Sequence, residues 1–287
     1  MAIEDPKRGV LYLCPTPIGN LKDITERTLE VLKSVDLIAA EDTRNTINLL
    51  NHFNIRVPMI SYHEYNRYDR ADELIKKMES GMDIACVTDA GTPGISDPGE
   101  ILVKKAAESG IKVVSLPGAT AFVTALTVSA LPTGRFVFEG FLPKEKKERR
   151  YIIDRMVNET ATMILYEAPH HLKATLSDLK EALGDGRKIA ACRELTKIHE
   201  EILRMTIGEL AAYYEEREPR GEYVLVIEGR AREEIEREKK KAFEQLSIAE
   251  HVQMHMEAGM DKKTAMKRAA EERGVPKRVI YKALIDS

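Results

Sequence analysis

Cysteine is scarce in this sequence: three residues in 287, Cys14, Cys86 and Cys192, each inside an apolar, strand-like run. So few thiols in such places exclude a disulfide framework and suit buried side chains in a reducing compartment. No apolar run approaches the ~20 residues of a membrane span, and the opening MAIEDPKRG has no signal-peptide apolar region. A cytoplasmic location with no membrane partner is therefore expected. Phosphate-cradling motifs are also missing, since neither G-x-G-x-x-G nor G-x-x-x-x-G-K-[ST] occurs. No C-x-x-C or H-E-x-x-H is present, and the adjacent His170 and His171 would point about 100° apart on a helix, so no tightly bound metal is expected. GISDPG comes near the G-x-S-x-G elbow, but its spacing is wrong and Pro98 starts a helix too soon, which leaves Ser96 a poor nucleophile. Low-complexity tracts and solenoid-period repeats are absent too.

What remains is an ordinary composition, 43% hydrophobic and 32% charged, long enough for two domains with sizeable cores. Runs GVLYLCP, DLIAAED, PMISYH, DIACVTD and KVVSLP alternate with helical stretches, the pattern of a parallel, doubly wound α/β sheet. After LPTGR the alternation resumes with FVFEGFLP, TMILYEA, KIAACREL and GEYVLVIEG, a second α/β domain; past Gly229 only helical patterns remain. The expected division is an N-terminal α/β domain over 1–132, a second over 133–229 and an all-helical segment over 230–287. The net charge of -3 argues against a nucleic-acid partner until its distribution is followed along the chain. From Arg230 to Ser287 there are 14 Lys and Arg against 11 Asp and Glu, and Lys262 to Lys282 holds eight bases and two acids. A second basic run, KEKKERR, spans Lys144 to Arg150. TAMKRAAEERGVPKRVIYKAL reads as a helix-turn-helix with Gly274 at the turn and Val279, Ile280 and Leu284 inward. Its cations suit phosphate contact; a plain helical hairpin packed on the body is the alternative.

Three loops stand out. VTDAGTPGISDPGE follows a strand, and its end reads as a helix start with Asp97 as N-cap, Pro98 at the first helical position and Glu100 three places on, giving a helix over about 97–109. CPTPIGNLKD leads to a helix capped by Asp23 with Glu26 in the reciprocal place, and LPGATAF follows the fifth strand. Loops at the carboxyl ends of parallel strands converge on one crevice. Their prolines offer no N–H to a phosphate, so a compact ligand with few phosphates, such as an adenosine bearing an amino acid, fits best.

The run PTPIGNLKDIT, AAEDTRNT, SYHEYN, VTDAGTPGISDPG, LPGATA, LYEAPHHL, CRELTKIHEE and RGEYVLVIEG closely resembles the ribosomal RNA small subunit methyltransferase I family, of the tetrapyrrole-methylase fold class. The resemblance covers nearly the whole chain. It implies S-adenosylmethionine-dependent methylation of a cytidine 2′-hydroxyl in the decoding region of 16S rRNA, on the small ribosomal subunit. A homodimer is also implied, with the cofactor in the cleft between two α/β domains. Carried onto these positions, the cofactor site would comprise Pro17, Gly19, Asp89, Ala90, Gly91, Thr92, Pro93, Pro117, Gly118, Ala119, Thr120, Tyr166 and Glu167. His171 stands where relatives often have arginine, and Tyr65 where they often have histidine.

Methyl transfer from a sulfonium places an oxygen ~3–3.5 Å from the methyl carbon, in line with the leaving sulfur. The hydroxyl must also lose a proton, so a base or a cation facing the alkoxide would help. Asp42, Arg44, His63, Arg193 and Lys197 are candidates, with Glu167 beside them; histidine is the residue type whose unperturbed pKa suits a base near neutrality, while Arg44 and Lys197 suit phosphate or alkoxide. For each, a structural ion pair or cap is the alternative role. Two other functions fit less well: methylation of a tetrapyrrole carbon, which leaves the basic tail unexplained, and a transcriptional or RNA-binding regulator that only senses the cofactor.

Overall fold

The structure, a computed structural model, describes residues 8–285, apart from the side chains of Lys239, Ala242 and Glu244. The rest of the opening MAIEDPKRG and the last two residues, which begin the first expected domain and close the third, lie outside the described residues. Two compact units are present: one runs to Asp154 and takes in Thr162–Glu228, and the other joins Arg155–Ala161 to the chain from Gly229 onward.

The first unit holds two sheets. Strands β1 (Val10–Leu13), β2 (Leu37–Ala40), β3 (Met59–Ser61), β4 (Ile84–Val87) and β5 (Lys112–Ser115) pair in the order β3-β2-β4-β1-β5, every pairing parallel. The period-2 alternation of these strands feeds two cores. Ile38, Ala40, Ala85 and Val87 pack with Leu32 of helix α1 (Glu26–Ser34) and Leu50 of α2 (Thr43–His52). Leu11, Leu37, Ala39, Ile84 and Cys86 pack with Leu74 and Met78 of α3 (Arg67–Glu79) and Leu102 of α4 (Gly99–Glu108). Burial on both faces is why these strands read as continuous apolar runs.

Helix α5 (Ala121–Val128) packs Ala125 and Leu126 against the second sheet, in one core with Ile164, Ala190 and Val226. That sheet comprises β6 (Phe136–Phe141), β7 (Thr162–Glu167), β8 (Lys188–Arg193), β9 (Glu201–Thr206) and β10 (Tyr223–Ile227), in the order β6-β7-β10-β8-β9. Only β6 and β7 run parallel. Helices α6 (Lys146–Met156), α7 (Pro169–Leu183) and α8 (Ile207–Glu215) connect these strands. Strand β9 was not among the sequence expectations: EILRMT is an edge strand, none of its six residues is fully buried, and its pattern lacks a clean apolar face.

Two helix starts differ from expectation. Thr25, not Asp23, caps α1, its Oγ1 accepting the Thr28 N–H at 3.1 Å, while Asp23 closes a short 3-10 turn begun by Asn20. Helix α4 begins at Gly99 without a reciprocal Glu100 bond; Asp97 reaches its first N–H and, as described below, two earlier ones.

The second unit consists, beyond 155–161, of α9 (Arg232–Gln245), α10 (Ile248–Glu257), α11 (Lys262–Arg273) and α12 (Lys277–Ile285). Arg230 ties the two pieces of chain together, its N–H donating to the Glu159 carbonyl at 2.6 Å and its guanidinium to Asn158 at 2.8 Å. Val252, Ala265, Met266, Ala269, Ala270 and Ile280 form its core. Gly274 ends α11 in the left-handed conformation, φ 66°, the ordinary role of glycine past a helix end. Val279 is 41% exposed rather than inward; Ile280 and Leu284, four apart, share the packed face, and Val279 is turned about 100° from it.

Candidate functional site

Strands β4, β1 and β5 are neighbours that end on one side, so the loops after them meet. Thr16 and Gly91 exchange both backbone bonds, at 2.9 and 3.0 Å. The Thr16 hydroxyl donates to the Thr88 carbonyl at 3.1 Å, and Thr92 Oγ1 donates to the Ala119 carbonyl at 2.9 Å. Inside the second loop the Asp97 carboxylate gathers the N–H groups of Gly94, Ile95 and Gly99 at 2.8, 3.1 and 2.7 Å. Burial raises its pKa, while these three donors oppose the shift. Gly91 at φ 90° and Gly94 at φ 88° occupy conformations closed to most side chains. The glycines of VTDAGTPGISDPGE thus let the chain fold back around Asp97, and Ser96, at φ 61°, is strained within the same turn.

The three loops and the facing ends of the second sheet enclose a cleft of about 310 Å³. Of the residues assigned to the cofactor by resemblance, Asp89, Ala90, Gly91, Thr92, Thr120, Tyr166 and Glu167 line it. Pro17, Gly19, Pro93, Pro117, Gly118 and Ala119 lie outside the lining. Two of these are packing positions: a Cβ on Gly118 would fall 2.4 Å from Pro15 Cβ, and one on Gly19 would fall 2.4 Å from Lys197 Cγ. Ala119 holds Thr92 through its carbonyl. Cys192 also lines the cleft, with burial pushing its thiol up to about 12.

Among the five candidates for the chemistry, Lys197 lines the cleft and Asp42, Arg44, His63 and Arg193 do not. Asp42 caps α2, and its hydrogen bonds from the Arg44 side chain and N–H hold its carboxyl near 2. The Arg44 side chain is 88% exposed. His63 has its Nε2 3.4 Å from the Asn66 amide and its Nδ1 buried without a hydrogen-bond partner. Arg193 donates to the His199 carbonyl at 3.3 Å and sits 3.5 Å from Glu201. Glu167 is buried, with Oε1 accepting from the Ala168 N–H at 2.8 Å and Oε2 from the Thr175 hydroxyl, so both oxygens serve the fold.

Lys197 is held by two carboxylates that sequence reasoning missed. Its ammonium donates to Glu194 at 2.9 Å and to Glu222 at 3.0 Å, and Glu194 also accepts the Glu222 N–H at 2.9 Å. Burial works against the charge on Lys197, yet these bonds leave its pKa raised; Glu194, likewise opposed by burial, is lowered by Lys197. Glu194 and Thr196 adopt left-handed φ values of 49° and 66° in the turn that presents the lysine. Glu41, also in the lining, accepts from the Thr88 hydroxyl and from the Asp89 N–H at 3.2 Å. Asp89 has its pKa raised by burial, and Asn45 donates to it at 3.1 Å. Glu41 was within reach of the strand-end argument, since it follows β2 beside β4. Glu194 and Glu222 were not, because only the β8–β10 pairing brings them together. With Ile18, Leu195 and Val224 as apolar walls, the cleft suits a compact ligand that is polar at its ends and apolar between them.

Among the described residues, the second unit holds one cluster of metal-ligand types, His251, His255 and Glu272. Both histidine Nε2 atoms lie on Glu272 Oε2, at 2.9 and 2.8 Å, and Arg273 Nε donates to His251 Nδ1 at 3.0 Å. That donor fixes the His251 proton on Nε2, where it is given to Glu272, so the arrangement is a hydrogen-bonded network with no His251 lone pair free for an ion.

Residues 10–211 match the family described as Tetrapyrrole (Corrin/Porphyrin) Methylases. Over 278 residues the chain is 46% identical to "Ribosomal RNA small subunit methyltransferase I" of Synechocystis sp., covering 97% of this chain and 98% of that one. It is 48% identical to the protein of the same name from Bacillus subtilis, covering 96% and 94%. Among solved structures, the methyltransferase CobJ is similar with a TM-score of 0.61 at 17% identity, covering 78% of this chain and 95% of that one. A uroporphyrin-III C-methyltransferase from Thermus thermophilus, complexed with S-adenyl homocysteine, gives 0.56 at 14% identity, covering 77% and 97%.

Proposed function

This chain belongs to the tetrapyrrole methylase family and, within it, to the ribosomal RNA small subunit methyltransferase I family, and on that premise we propose that it methylates 16S rRNA of the small ribosomal subunit. The donor is S-adenosylmethionine and the acceptor the ribose 2′-hydroxyl of a cytidine in the decoding region. One observation carries the choice over a tetrapyrrole substrate. The rRNA relatives align with 96–97% of the chain, whereas the tetrapyrrole match stops at residue 211, before any of the helices α9 to α12.

The cleft has the features the cofactor requires. It is of ligand size, its Gly91 turn has no Cβ to keep a ligand from the backbone, and it offers Asp89 as an acceptor and Tyr166 as an apolar wall. S-adenosylmethionine, when bound, supplies a methyl group on sulfonium that is displaced in line. The chain supplies position and charge. Lys197, fixed by Glu194 and Glu222, is a cation oriented before the reaction, suited to an oxygen that gains negative charge as its proton leaves.

The helical segment from Arg232 grips the rRNA through the exposed cations of α11 and α12, and the active species is a homodimer in the cytoplasm. Deletion of the segment is expected to weaken rRNA affinity and its salt dependence, and a solution mass twice that of one chain is expected. The function itself is tested by offering labelled S-adenosylmethionine with small subunits, naked 16S rRNA and a tetrapyrrole. Label on an RNA is expected, and label on the tetrapyrrole alone would overturn the assignment.

A further inference from the structure

A second cavity, of about 810 Å³, opens beside the cleft within the first unit. Its walls come from the β6–α6 connection, the first turns of α6 and the start of α7, and it shares Phe141, Glu167 and Ala168 with the cleft, so the two spaces adjoin. This is where the basic run KEKKERR lies in the fold. Lys144, Lys146, Arg149 and Arg150 line the groove, with His170 and His171 across from them.

The charge balance of the groove is one-sided in what it leaves for a ligand. Its two carboxylates are already engaged: Glu167 is buried with both oxygens bonded, and Asp178 accepts from Arg149 Nε at 2.7 Å. Arg149 also donates to the Thr175 hydroxyl at 2.9 Å, which fixes its guanidinium plane. Arg150 is spread between Asp154 at 2.8 Å and Glu181 at 3.1 Å. Lys144 and Lys146 are exposed and have no carboxylate at ion-pair distance among the described residues. At the junction with the cleft stands Phe141, 58% exposed, its ring centroid 5.5 Å from that of Tyr166 in an edge-to-face contact. A cationic groove that leads to an exposed ring has the two components of a single-strand site: phosphates tracked by lysine and arginine, and a base stacked on an aromatic face.

We propose that this groove carries the phosphodiester backbone of a single RNA strand to the methyl-transfer cleft, with Lys144 and Lys146 on its phosphates and Phe141 stacking a base beside the target nucleotide. The proposal rests on the rRNA reading given above. An anionic small molecule would not need a groove running on past the cleft, and an acidic protein would not need a stacking ring at its end.

The test uses the full chain carrying Lys144→Ala with Lys146→Ala, with Lys33→Ala as a control on a different element. Three quantities are read: S-adenosylmethionine affinity, KM for small subunits across a salt series, and affinity for a labelled single-stranded oligoribonucleotide. Unchanged cofactor affinity shows that the cleft is intact. The expected result is a KM raised roughly tenfold and weaker oligonucleotide binding, with the slope of log affinity against log salt shallower by ~0.7 per lost phosphate contact. KM, slope and oligonucleotide affinity all equal to the control would overturn the groove and leave the rRNA function standing. A raised KM with unchanged oligonucleotide affinity would assign the surface to a ribosomal protein and also overturn it. If the unaltered enzyme methylates no RNA, the functional reading itself fails and the groove loses its occupant.

Discussion

Lys197 and Gly91 set the charge and the backbone shape of the cleft residue by residue. Lys197 is the one chemical candidate of five that the fold brings into the cleft, and its partners Glu194 and Glu222 hold its ammonium there. Lys197→Met should lower kcat by on the order of 10², the loss expected when one preorganised charge is removed from a developing oxyanion. Single-turnover methyl transfer measures it, and a rate equal to wild type would remove the lysine from the chemistry. Gly91→Ala places a Cβ at φ 90°, 3.4 Å from Ile18. It should cost about 1–2 kcal/mol of stability and weaken cofactor binding, readable by denaturant melts and calorimetry. The sequence made Gly91 legible because a glycine between strand and helix has a conformational meaning of its own. It did not separate Lys197 from Asp42 or Arg44, since a charged side chain carries no local sign of whether it points into a cleft or caps a helix.

Among elements, the network joining α10 to α11 has a defined pH response. Burial holds the His251 pKa below its ordinary 6.5, while Glu272, despite its own burial, is held below 4.5 by bonds from His255 and His251, with Arg268 and Arg273 beside them. Unfolding releases both groups to their ordinary values, so on acidification the unfolded chain binds protons that the folded unit refuses. Stability of these helices should fall as pH drops below 6.5, through His251, and further below 4.5, through Glu272. Hydrogen exchange of the α10 and α11 amides in the full chain, corrected for intrinsic rate, should show less protection at about pH 5.5 than at about pH 7.5. Equal protection would contradict it. Of the ten strands among the described residues nine were legible as apolar runs, whereas β9 was not, because an edge strand needs no continuous apolar face. Cap residues misled for another reason: Asn20, Asp23 and Thr25 stand within six positions, and only packing decides which of them starts the helix.

For the whole molecule, the order of elements was legible, since parallel strands with intervening helices can be wound in few ways and their loops must share one end. The convergence of three loops on a cleft follows from that topology and is seen in the Thr16–Gly91 and Thr92–Ala119 bonds. The second sheet's mixed pairing was not legible, because strand direction leaves no mark in periodicity. In the proposed function this cleft serves methyl transfer to small-subunit rRNA. It is tested most directly by incubating the full chain and S-adenosylmethionine with small subunits lacking the modification, then digesting the 16S rRNA and mapping the product by mass spectrometry. The expected product is a single new 2′-O-methylcytidine in the decoding region. A methyl group on a base, or no modified nucleotide while the cofactor remains bound, would contradict it.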